Sequence, residues 1–257
     1  MSTKFSLRFA GLAGAFVLAT AAPALASPIF YTGTVGGVPS GTLIDTQSLA
    51  TFNTPPNKTV SVGTTSFSFI TDAAVVNGAL TNVYAPPYLS AGEAALLGQP
   101  TGADQGNYLT TGSNGTYKGA AIEMSFAAPQ YSFGMIWGSI DKFNTVALYS
   151  GGVSGTLVGT VTGGQIDATA SGNQGPTGTY GVSIWSPLQS FDTVVFTSSN
   201  FAFEFTGLTY TNGSHNPPPG LPEPGSLTLF GAGLGLLGLA RFATRRGKAD
   251  MQPRLMA

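Results

Sequence analysis

The 257-residue chain contains no cysteine, a single histidine and unusually few charges. Without cysteine there is no disulfide framework, no CxxC redox pair and no thiolate zinc site. The one histidine, His215, lies in a proline-rich stretch, "TNGSHNPPPG", so Ser–His–Asp chemistry has no credible base. Charged residues make up 8% of the chain, against about 25% in average proteins. Between Ser27 and Gly220 nine acids face only Lys58, Lys118 and Lys142, a net charge of −6. Such a body repels phosphate backbones, which argues against a nucleic-acid partner. No long amphipathic helical pattern is visible either; "YLSAGEAALLGQP" has room for one short turn of helix.

Glycine and short β-type runs take the place of what is missing. "SFSFI" puts Phe67 and Phe69 on one face, and "AIEMSF" alternates Ile122, Met124 and Phe126 with Glu123 and Ser125. "YSFGMIW", "NTVALYS", "TLVGTVTG" and "TYGVSIW" continue the series, with "SGG" at a hairpin. "FDTVVFTSSNFAFEFTGLTY" reads as two strands around Ser-Ser-Asn. In the second, Phe201, Phe203 and Phe205 are expected on one face and Ala202, Glu204 and Thr206 on the other, with Glu204 in solvent. The segment Ile29–Pro56 is expected to supply one or two edge strands. Many short strands at regular spacing predict an all-β protein built as an antiparallel sandwich over 27–210.

The two ends carry a different message. Lys4 and Arg8, the apolar run Phe9–Thr20 and Ala24-Leu25-Ala26 follow one another as the three parts of a secretory signal peptide. Signal peptidase is expected to cut between Ala26 and Ser27 after Sec-type export, removing 1–26. Residues 211–220 are a polar, proline-rich linker. Gly225–Ala240 is uncharged; as a helix it rises about 24 Å, near the roughly 30 Å of a bilayer core. Extended to about 225–243, it is expected to span the inner membrane. Arg241, Arg245, Arg246 and Lys248 follow it and fix its orientation, leaving 249–257 as a cytoplasmic tail. Gly233, Gly235 and Gly238 match GxGxxG literally, but no strand, helix or acid surrounds them as a dinucleotide site needs.

The order Pro222-Glu223-Pro224, apolar span, arginine cluster over 221–248 resembles the PEP-CTERM sorting signal. That resemblance implies recognition and processing by a membrane-embedded exosortase, followed by release or transfer to the cell surface. Nine residues follow the basic cluster, where such signals often stop. A second stretch, "FGMIWGSIDKFNTVALYSG" (Phe133–Gly151), together with "GNYLTTG" and "FAFEFTGLTY", resembles a subfamily of exosortase-dependent surface proteins. It implies a jelly-roll-like sandwich and no known activity.

Candidate chemistry in the body is sparse. Glu123, Asp141 and Glu204 are the acids available for a paired-carboxylate mechanism, but their positions read as a solvated strand face and a turn whose backbone N–H groups cap Asp141. Trp137, Asp141 and Asn144 are the candidates for a ligand contact or a structural turn. Trp137, Trp185, Tyr84, Tyr88 and Tyr108 are the aromatics available to a sugar, with core packing the alternative for both tryptophans. "DQGN" around Asp104 and Asn107 lacks the acid density of a strong calcium loop. No metal, cofactor or catalytic residue is assigned. The expectation is a non-enzymatic, exported protein of the cell surface or matrix of a Gram-negative-type bacterium, structural or adhesive in envelope, exopolysaccharide or biofilm. A lectin-like carbohydrate-binding module is the alternative, and a glycan-active enzyme ranks below it.

Overall fold

The computed structural model describes residues 28–52, 58–113 and 120–211. The signal sequence with Ala24, Ala26 and Ser27, and the tail with Pro222, Glu223, Pro224 and the basic cluster, lie outside the described residues. Among the described residues no helix is long and apolar enough to cross a membrane. The span expected at 225–243 is not among them.

The strands in chain order are β1 (Phe30–Val35), β2 (Thr42–Leu43), β3 (Lys58–Val62), β4 (Thr65–Ile70), β5 (Ala73–Val76) and β6 (Tyr88–Leu89). The short helix α1 (Ala91–Leu97) precedes β7 (Gly102–Ala103), β8 (Tyr108–Thr111), β9 (Ala121–Gln130), β10 (Ser132–Gly138), β11 (Asn144–Ser150) and β12 (Thr156–Thr162). A helical turn α2 (Gly163–Ile166) leads to β13 (Tyr180–Trp185), β14 (Phe191–Ser198) and β15 (Phe203–Thr211). Two large antiparallel sheets and a small β6-β7 pair result. One runs β1-β13-β10-β15-β8-β5, with β2 paired to β15; the other runs β12-β11-β14-β9-β4-β3. The described residues therefore form an all-β antiparallel sandwich, as the alternating pattern over 27–210 predicts. β1 does form a sheet edge.

The two sheets differ in what covers them, and the sequence period follows the difference. β4, β9 and β11 alternate buried and half-exposed residues, so their sheet has one wet face. Phe67, Phe69, Ile122, Met124, Val194 and Phe196 point from it into the core. β5, β8 and β10 are buried at every position. Their second face is roofed by the segment between β5 and β8. Leu89, Ala94, Leu96 and Leu97 of that roof pack on Ile136, and Tyr84 packs with Ala74, Val76 and Tyr108. Within α1, Glu93 accepts a hydrogen bond from the Ser90 backbone N–H (2.8 Å), which satisfies a free helix-end donor. Gly98 ends the helix in the left-handed region at φ 66°.

Two expectations for β15 need correction. Phe203 and Phe205 do enter the core, but Phe201 precedes the strand and packs with the outer cluster instead. Glu204 does face away from the core, yet it is only 3% exposed, because the roof covers that face. Past Thr206 the register against β10 shifts by one residue at Gly207, which has φ +55°. This bulge turns Leu208 inward where strict alternation would put it outward.

Candidate functional site

The "WGSIDKFN" motif sits at the end of the sandwich where β10 finishes and β15 begins. Each of its residues has a separate task. Trp137 is fully buried and stacks on Phe203 with ring centroids 4.5 Å apart, so it is a core residue and unavailable to a ligand. A Cβ on Gly138 would meet the Pro87 backbone at 2.8 Å, so only glycine lets the roof approach here. Ser139 adopts φ +36°, a left-handed conformation that costs a non-glycine residue roughly 1–2 kcal/mol. Its hydroxyl donates to Glu204 Oε2 at 2.6 Å. Asn144 is fully buried. Its Nδ2 donates to the Ala202 carbonyl at 3.2 Å, and its Oδ1 lies 2.8 Å from the Ser198 hydroxyl. Asn144 thus ties the start of β11 to the turn before β15, a structural role.

Glu204 anchors the roof to the sheet. Its Oε1 accepts the Ala85 backbone N–H at 3.1 Å while Oε2 takes the Ser139 hydroxyl. Burial lifts its pKa from the ordinary 4.5 to about 7; hydrogen bonds from Ser139, from Ala85 and from its own backbone N–H pull the other way, and the charge of Asp141 adds a small upward push. Asp141 is half-buried, and loss of water raises its pKa to about 6. The turn role expected of Asp141 falls to its backbone. The carbonyl accepts from Asn144 N–H at 3.2 Å, and the residue bridges to Ser171. No described residue donates a hydrogen bond to its carboxylate. Gly172, at φ +73°, lies against it; a Cβ there would stand 3.0 Å from Oδ2.

Asp141, Glu204 and Ser139 line one open cleft of about 340 Å³, with Asn82, Gln174, Asn200, Phe143 and Phe201. That is within the roughly 300–1,000 Å³ of small-ligand sites. Sequence reasoning found Asp141 and considered Glu204, but not as neighbours. Asn82, Gln174 and Asn200 sit on loops brought together only by the fold; the sequence marks Asn200 as a turn residue and no pattern marks the other two. The aromatics proposed for sugar contact go elsewhere. Tyr84 and Tyr108 are buried in the outer cluster. Half-buried Trp185 lies at the far end of β13, paired with Ser132 and Phe30. Glu123 stays half-exposed on the wet face of the other sheet.

The loop around Asp104 is held by protein groups. Asp104 Oδ1 accepts from Gln99 Nε2 (2.7 Å) and Gly106 N–H (2.8 Å), and Asn107 donates to the Leu49 carbonyl (2.7 Å). Burial raises the pKa of Asp104 and, separately, that of Glu93. Among the described residues no group of three or more Asp, Glu or His side chains is placed to hold a metal ion.

Fold and site together define an all-β sandwich with a polar, carboxylate-bearing cleft at one end. No family model matches the chain, and no curated protein matches it either.

Proposed function

We propose that this chain is an exported, exosortase-sorted protein of the bacterial cell surface or extracellular matrix, with a structural or adhesive role. The observation that carries this reading is the placement of the ends of the domain. Phe30 pairs with Trp185, Trp185 with Ser132, and Ser132 with Thr211. The start of β1 and the end of β15 therefore lie at the same end of the sandwich. The cleft lies at the opposite end, beside Glu204 at the start of the nine-residue β15. At about 3.3 Å per residue the two ends stand roughly 25 Å apart. A chain held through the linker after Thr211 would thus point its cleft outward. That is the geometry a displayed module needs, and the jelly-roll-like resemblance of the body fits it.

In this reading Sec-type machinery exports the body and signal peptidase frees Ser27. The apolar span parks the tail in the inner membrane, with Arg241, Arg245, Arg246 and Lys248 holding its direction. Pro222 and Pro224 keep the segment extended, where an exosortase reaches Glu223. The test is mass analysis of both termini after fractionation, in hosts with and without an exosortase. Mature protein is expected to start at Ser27. Glu223→Ala is expected to leave export intact and to accumulate in the inner membrane at unprocessed size. A surface-displayed full-length tail, identical in both hosts, refutes the sorting reading. The lectin-like alternative is favoured by one feature, the exposed amides and half-buried phenyl rings that border the cleft.

A further inference from the structure

The geometry points to a ligand class for the cleft: we propose that it binds a cationic amino-sugar polymer of the glucosamine type, in preference to neutral or uronate polysaccharides. The proposal rests on the displayed-module reading only for where the polymer is met, since binding by the cleft does not depend on how the tail is processed.

Three features of the lining argue for a sugar. The cleft is open and of ligand size. Exposed Asn82, Gln174 and Asn200 offer amides, which both donate to and accept from hydroxyl groups. Half-buried Phe143 and Phe201 offer flat apolar surface for the C–H face of a pyranose ring.

Charge selects among sugars. The lining contains two carboxylates and no lysine or arginine. Their parts differ. Both oxygens of Glu204 are already engaged by Ala85 and Ser139, and burial raises its pKa to about 7, so below neutral pH it is only partly ionised and the charge of the cleft rests mainly on Asp141. The Asp141 carboxylate accepts no hydrogen bond from any described residue and is half-open to the cleft, so it is the group free to take an ammonium. The nearest described cation, Lys142, is exposed and leans toward Gly164, and its charge acts on Asp167. It does not neutralise the cleft lining. A uronate would meet uncompensated like charge in a partly dehydrated site, where repulsion is strongest.

The experiment is calorimetric titration of the full chain in detergent micelles, just below neutral pH, at low and moderate salt. The probes are a glucosamine oligomer, its N-acetylated counterpart and an oligo-uronate. The glucosamine oligomer is expected to bind about tenfold more tightly than the acetylated one, with the margin shrinking as salt rises and the uronate not binding. Asp141→Asn, which keeps the shape of the side chain, is expected to abolish that margin while weak binding of the acetylated oligomer persists. Glu123→Gln removes the same charge from the wet face of the other sheet and is expected to change nothing. Equal affinity for all three probes, binding of none, a margin that survives Asp141→Asn, or an equal loss from Glu123→Gln would each overturn the proposal. The last of these outcomes would mean general attraction of a polycation to an acidic protein.

Discussion

Replacing Glu204 by alanine has an effect whose size depends on pH, and the dependence follows from its burial. The substitution strands two buried donors, the Ala85 N–H and the Ser139 hydroxyl. Each stranded donor costs about 1–3 kcal/mol, so the two together cost about 2–6 kcal/mol in acid, where the native side chain is protonated. The folded chain raises the Glu204 pKa from 4.5 to about 7. Between those values the native state binds more protons than the unfolded state, so stability falls as pH rises. The favourable contribution is complete below about 4.5 and lost on passing through about 7. At about 1.4 kcal/mol per pKa unit the loss is roughly 3 kcal/mol. Alanine has nothing to titrate. Its cost is therefore expected to be about 2–6 kcal/mol near pH 5 and to be roughly 3 kcal/mol smaller near pH 8, from the same donor and linkage arithmetic. Urea melts of the full chain in micelles, read by tryptophan fluorescence at both pH values, measure it; Trp137 in the core reports the native packing. Glu93 and Asp104 are shifted in the same direction and cancel in the difference between wild type and variant, while Asp141, whose charge acts on Glu204, adds a small change of its own. A cost that is equal at both pH values, or larger in base, would mean that Glu204 is comfortably ionised in the fold, and the reasoning would fail.

Two further substitutions probe the layers on either side of Glu204. Phe203→Ala removes a fully buried ring that stacks on Trp137 and is expected to cost about 3–5 kcal/mol through lost burial and a cavity, read as a fall in urea midpoint at constant slope. Gly138→Ala pushes a methyl group to 2.8 Å from the Pro87 backbone. It is expected to cost about 1–3 kcal/mol and to speed hydrogen exchange in 84–97 ahead of β11 and β14; uniform exchange would mean that the roof does not open separately.

What was legible in the sequence, and what was not, divides along the two sheets. β4, β9 and β11 have one wet face, so a period of two appears in the residues themselves, and Phe67, Met124 and Glu123 fall where alternation puts them. β15 has no wet face. Its outward positions hold Glu204 and Thr206, both buried like Ala202 just before the strand, and an acid there reads as solvated because the covering chain lies more than a hundred residues earlier. The contact that reveals it, Ala85 N–H to Glu204, spans 119 positions. No local period carries that information. The site divides in the same way. The Trp-Gly-Ser-x-Asp run was visible as a motif, but the reasons for its residues are tertiary. Gly138 answers to Pro87, Ser139 to Glu204, Asp141 to Gly172 and Asn144 to Ala202. A local pattern can thus mark where a site lies while the identity of its second carboxylate depends on a roof that strand periodicity does not register. That asymmetry has a physical consequence for the cleft. Its floor is the end of β10 and the start of β15, two interior strands, whereas the ionisation of Glu204 depends on how firmly the roof stays seated over it. If the roof lifts, water reaches the Glu204 carboxylate, the penalty on its ionised form falls and its pKa drops toward the ordinary value. Opening of the roof and ionisation of Glu204 are therefore one coupled equilibrium, and any cation that settles beside Asp141 favours the ionised side of it.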